Sequence, residues 1–174
     1  MNNDRVLEVI ALEALRARIT RVLPAQIKEC LDQLDETQIW WRPNEQTNSV
    51  GNLTLHICGA VSHFLCRGVG GHEYVRDRPA EFAARALSKA QLLVTVAEMA
   101  DKAEQTFARL DPSHLNNDST EPAYYSTIFE DLFGVAIHLA VHTGQIVYVT
   151  KMLKEGSIDD LWSQTHRSLG AWRG

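Results

Sequence analysis

From Thr127 to Glu155 the sequence reads as one long helix, and two histidines, His138 and His142, stand four residues apart in its middle. Thr127-Ile128-Phe129-Glu130 has the capping-box pattern, in which the Thr and Glu side chains each satisfy an orphan backbone donor at the helix start. Gly156 is a natural residue just past the other end. Val135, Ala136, Ile137, Leu139, Ala140 and Val141 flank the histidines, which predicts a helix buried around much of its circumference. His138, His142 and Gln145 interrupt the run from Val135 to Val149, so it does not read as a membrane span.

Such a helix needs partners, and the chain supplies three more helical segments and hardly any convincing strand. Leu7, Ile10, Ala14, Ala17, Val22 and Ile27 form a helical stripe between about Arg5 and Leu34, where Pro24 predicts a kink or a break. Trp40-Trp41-Arg42-Pro43 is a linker, because a residue before proline avoids the α region. A second helix is expected from Ser49, with Asn48 or Ser49 as its cap, to about Arg67, ended by Gly68, Gly70 and Gly71. Residues 72–85 read as an ordered loop with one helical turn. A third helix opens with the capping box Ser88-Lys89-Ala90-Gln91 and runs to about Leu110, closed by Asp111-Pro112. Residues 111–125 read as irregular, and Trp162 and Trp172 of the tail are expected to dock on the helices. The expectation is an all-α four-helix bundle, one domain over residues 1–174.

Charge and cysteine usage narrow the function. With 17 Lys+Arg against 22 Asp+Glu the net charge is -5, and no basic stripe is present, which argues against a nucleic-acid partner. Cys30, Cys58 and Cys66 are an odd set without CxxC spacing, which fits a reducing cytoplasm rather than a disulfide framework. Met1 to Arg5 leads straight into the helical pattern, with no signal-peptide character. A cytoplasmic protein with no membrane partner is expected.

The histidines carry the chemistry. At 3.6 residues per turn, His138 and His142 project from one helix face, within reach of a single metal ion. The spacing alone is weak evidence, since chance places such a pair in roughly one sequence of this histidine content in four. Imidazoles among apolar neighbours need partners, and a metal, a Tyr or Asp side chain, or a backbone carbonyl each satisfies that need. His56, between Leu55 and Ile57 in the apolar run Leu53–Phe64, is the candidate third ligand; its alternative is a hydrogen-bonded core histidine. Three protein ligands would leave a tetrahedral ion one open position. His63 is two turns beyond His56, too far to share an ion, and reads as a solvated helix residue, with a place facing a substrate cavity as its alternative. Gln145 and Asp131 are candidates for contacts behind the ligands or with substrate, against a plain reading as polar residues near a bundle end. No GxSxG, HExxH, P-loop or dinucleotide fingerprint is present.

Asn48-Ser49-Val50-Gly51-Asn52-Leu53-Thr54-Leu55-His56, preceded by Trp40-Trp41-Arg42-Pro43, resembles the start of the second helix in proteins of the DinB/YfiT-like superfamily. The segment His138 to Ile146 resembles their HxxxH-x-G-Q element, and Arg76 to Phe82 resembles a loop of one branch. The resemblance runs from the first helix through Lys151. It implies an up-down-down-up topology, a site of His56, His138 and His142 for a divalent metal (zinc or nickel foremost), and often a homodimer. Some relatives use low-molecular-weight thiols, as mycothiol-dependent isomerases and bacillithiol transferases do.

The leading expectation is therefore a metal-dependent enzyme, with thiol S-transfer to a small electrophile as its most concrete form. Substrate would enter from the loop side near Arg76, Arg78 or Trp41. Hydrolysis is the second reading, weakened because no Glu or Asp is placed by the sequence as a general base. A non-catalytic, stress-associated protein that holds a metal or small ligand is the third.

Overall fold

The first helix runs on through its proline rather than ending at it. In the computed structural model, which describes residues 6–120, 124–156, 158, 161 and 165, α1 (Leu7–Ala17) passes into a π-helical stretch (Arg18–Val22) and then into α2 (Leu23–Gln33). Pro24 has no N–H and its ring would crowd the carbonyl four residues back. The helix widens at that point, with the Leu23 N–H reaching back to the Arg18 carbonyl.

A short helix not expected from the sequence follows. In α3 (Glu36–Ile39), Asp35 accepts from the Thr37 and Gln38 backbone and Gln38 reaches back to Asp35, which makes a complete capping box over four residues. Trp40 then turns the chain. Its indole N–H donates to the Leu87 carbonyl at 3.0 Å, and its ring lies where a Cβ on Gly51 would come within 2.7 Å.

The second long segment is α4 (Val50–Val61), capped by Ser49 and continued by a π-helical stretch (Ser62–Val69). The turn expected between residues 72 and 85 is α5 (Arg78–Ala83), capped by Asp77. The capping boxes at Ser88 and Thr127 open α6 (Lys89–Arg109) and α7 (Ile128–Leu153), and Gly156 has the positive φ of a residue past a helix end. Between α6 and α7, a 3₁₀ turn (Pro112–Asn116) occupies part of the segment expected to be irregular. Among the described residues the protein is all-helical, with a single isolated bridge between Asp118 and Thr127. Met1–Arg5, Trp162 and Trp172 lie outside the described residues.

Packing places the core between the long segments. The α7 helix lies against α2 and α4, and α6 lies against α4, α2 and both π-helical stretches. Ile19, Ile27, Leu31, Ile57, Leu92, Leu132, Leu139 and Ile146 are fully buried there. Each such side chain contributes about 1.5–3 kcal/mol through apolar surface removed from water. Arg16 on α1 forms an ion pair with Glu104 on α6, a half-exposed contact of small energetic weight.

One expectation needs correction. Helix α7 is long and apolar enough by composition to cross a membrane, yet it is not buried around its circumference. Leu132, Val135, Leu139 and Ile146 face the core, whereas Phe133, Ile137, Val141 and Tyr148 are exposed. Apolar residues fill both faces, so composition alone could not reveal which face packs.

Candidate metal centre

Helix α4 carries Asn52, His56 and Gly59 at spacings of four and three, which puts all three on one face. That face receives α5. The Asn52 amide donates to the backbone carbonyls of Glu81, Phe82 and Ala84 at 3.0–3.2 Å, so the end of α5 is tied one turn before His56. One turn after it, Gly59 has no side chain, and a Cβ there would sit 2.8 Å from the Glu81 carboxyl carbon.

His56 is buried and faces His138 and His142, both half-buried on α7. Its ring centroid lies 4.9 Å from that of His138 and 5.1 Å from that of His142, while the two α7 rings are 4.5 Å apart. One nitrogen from each residue falls within 4.8 Å of the other two. The three histidines singled out by the sequence are thus brought together.

The outer hydrogen bonds decide which nitrogens point inward. His56 Nδ1 is 2.9 Å from Glu81 Oε2. An ionised carboxylate only accepts, so Nδ1 carries the proton and Nε2 keeps its lone pair. Arg76 Nη2 also lies 3.1 Å from Nδ1, but both are donors, and both bonds end on Glu81 Oε2. On α7, Gln145 Oε1 accepts from His142 Nδ1 at 2.7 Å, which leaves His142 Nε2 as the free acceptor. His56 Nε2 and His138 Nε2 face each other at 3.1 Å. Nitrogens sharing one tetrahedral ion with bonds near 2.05 Å lie about 3.3 Å apart. The donor set fits a divalent metal: His56, His138 and His142 would hold it.

Electrostatics agree with that chemistry. Burial holds the His56 imidazole below its ordinary pKa, more than the opposing Glu81 hydrogen bond and charge restore. His138 is pushed from 6.5 down to about 4 by burial, then by the neighbouring charges of His142, His56 and Arg76. Neutral imidazole is the form that binds metal. The cysteines offer nothing here: burial raises Cys58 to about 12 and Cys30 and Cys66 to about 11, and none joins the cluster.

Other sequence candidates separate. Gln145 lies behind His142 as a supporting partner. Asp131 does not reach the site: it is buried, accepts from the Ser119 hydroxyl and the Thr120 N–H, and pins the loop before α7. His63 packs edge-on against Phe64, away from the cluster. Arg76 is held to Glu81 through both its Nε and its Nη2. Arg78 lies 5.1 Å over the Phe82 ring, which itself lies 4.7 Å from His56. Trp41 lines a groove of about 690 Å³ with Leu53, Val141, Gly144, Gln145 and Tyr148, on the His142 side of the centre.

Sequence reasoning missed Glu81 as a site residue, and with it Asn52 and Gly59. A signal was present, since Asn52, His56 and Gly59 interrupt an apolar helix face at helical spacing, and a buried polar stripe requires polar partners.

The fold and the cluster define an all-helical protein with three histidines gathered between two of its helices. The chain belongs to the family described as "Protein of unknown function (DUF1572)", whose model matches residues 10–164. No curated protein matches the chain.

Proposed function

We propose that the chain is a metal-dependent enzyme of DinB/YfiT-like four-helix-bundle type, with zinc or nickel held by His56, His138 and His142. The observation that supports this reading is the convergence of one ring nitrogen from each of three histidines, with Nδ1 of His56 and of His142 turned to Glu81 and Gln145. Three ligands leave an open position, the arrangement of catalytic rather than structural sites. Bound there, the metal would act as a Lewis acid and lower the pKa of a thiol that approaches it.

Thiol S-transfer is the form the surroundings favour. Glu81 and Asp131, the buried carboxylates among the described residues, are both engaged, and Glu81 lies on the Nδ1 side of His56. Neither is placed to take a proton from water, so no observation supports the hydrolytic reading. A thiol needs no such base: its proton passes to solvent, its sulfur bonds the electrophilic carbon, and the leaving group departs with the bonding pair. The apolar groove beside Gln145 is the proposed seat of the electrophile, with Phe82 and Arg78 on the His56 side. A homodimer is likewise proposed, with Phe133 and Ile137, exposed on α7 outside that groove, as its contact, testable by sedimentation.

Calorimetry of zinc-loaded protein against glutathione, mycothiol and bacillithiol tests the thiol reading. Binding of one thiol per chain, lost in His138→Ala, is expected. A loaded protein that binds none of them would leave a metal-binding protein without thiol chemistry.

A further inference from the structure

We infer that Glu81, clamped by Arg76, is the positioning residue of the centre, selecting the tautomer and orientation in which His56 offers Nε2 to the metal. The inference rests on the metal-binding reading above and adds a residue and a role to it.

A glutamate is rarely buried unless paired, and the Glu81 side chain is 8% exposed. Its carboxylate is fully engaged: Arg76 Nε donates to Oε1 at 2.7 Å, while Arg76 Nη2 and His56 Nδ1 both donate to Oε2 at 2.9 Å. Its backbone carbonyl is held by Asn52, one turn before His56 on the same helix face. Gly59, one turn after His56, leaves the volume the carboxylate fills. Replacing a buried ion pair with apolar side chains is generally neutral or stabilising, so stability alone gives little reason for this construction. Each element of it fixes one carboxylate against one ring nitrogen.

The consequence is specific to His56. A carboxylate on Nδ1 fixes the Nδ1–H tautomer and raises the basicity of Nε2, the usual outer arrangement of a metal-bound histidine. Glu81 does not itself ligate, because it lies across the ring from Nε2 and Arg76 holds both its oxygens. The other ligands are keyed less firmly. His142 has a neutral, exposed partner in Gln145, and among the described residues no hydrogen bond reaches His138 Nδ1. His56 is therefore the preorganised anchor of the three.

Two measurements test this. Nitrogen-15 NMR of the histidine rings in metal-free wild type should show His56 protonated on Nδ1 near neutral pH; protonation on Nε2 would overturn the inference without reference to any metal. Zinc affinity, measured by chelator competition, should fall about 10- to 100-fold in Glu81→Gln and by less in Gln145→Ala. A purely structural Glu81 would lower the melting temperature of the metal-free protein and leave zinc affinity of the folded fraction unchanged, which would overturn the inference. Wild type that takes up no zinc would overturn the metal reading and this one together. Wild-type uptake with unchanged affinity in Glu81→Gln would overturn this one alone.

Discussion

The carboxylate of Glu81 occupies the space that Gly59 leaves open on α4, with the carboxyl carbon 2.8 Å from where a Cβ would stand. Alanine at a helix-interior glycine ordinarily stabilises by about 0.5–1 kcal/mol. At Gly59 the added methyl must push into a buried, hydrogen-bonded carboxylate, and such overpacking costs about 1–3 kcal/mol. Gly59→Ala should therefore lower the melting temperature. Gly144→Ala, on the exposed face of α7 with nothing within 4 Å of the new methyl, should raise it. Thermal melts of the two variants side by side check the contrast; equal shifts would contradict the packing around Glu81.

Arg76 and Glu81 form a buried pair whose halves should not be separable. Glu81→Ala leaves the Arg76 guanidinium facing His56 without its acceptor, and breaking a buried pair from one side costs about 3–5 kcal/mol. The double variant Arg76→Met, Glu81→Leu should cost clearly less than Glu81→Ala in chemical denaturation. Additive losses would mean that the two side chains do not act as a unit.

The metal-free protein should lose stability on mild acidification. His138 has a pKa of about 4 in the folded chain against 6.5 for an ordinary histidine, and His56 is lowered as well. Between those values the unfolded chain binds more protons than the folded one, so stability falls as pH drops from about 6.5 toward 4 and levels off below. The charged and titratable groups facing His138 are His142, His56, Arg76 and Glu81. Denaturation midpoints over this range should show a steeper slope for wild type than for His138→Asn. Identical slopes would contradict a half-buried, neutral His138.

Much of the fold was legible because helix boundaries leave local marks. Ser88 with Gln91 and Thr127 with Glu130 announce their helices within four residues, and Pro24 announces the distortion before it. The histidine cluster was legible in part, since His138 and His142 share a helix face by spacing alone, whereas His56 is drawn in by its apolar setting and by the resemblance of its segment. Glu81 was not, because its bond to His56 spans 25 residues and depends on how α5 seats against α4. The exposed face of α7 escaped for the opposite reason: Ile137 and Val141 look like core residues, and only the packed helices show that they are not.

Metal content tests the central claim most directly. Untagged wild-type protein and His142→Ala, purified without chelator or added metal, would be compared by elemental analysis, followed by zinc and nickel titration. Close to one metal ion per wild-type chain and little in the variant are expected. No metal in either, and none taken up on titration, would contradict the claim and leave His56, His138 and His142 as hydrogen-bonded residues of a helical core.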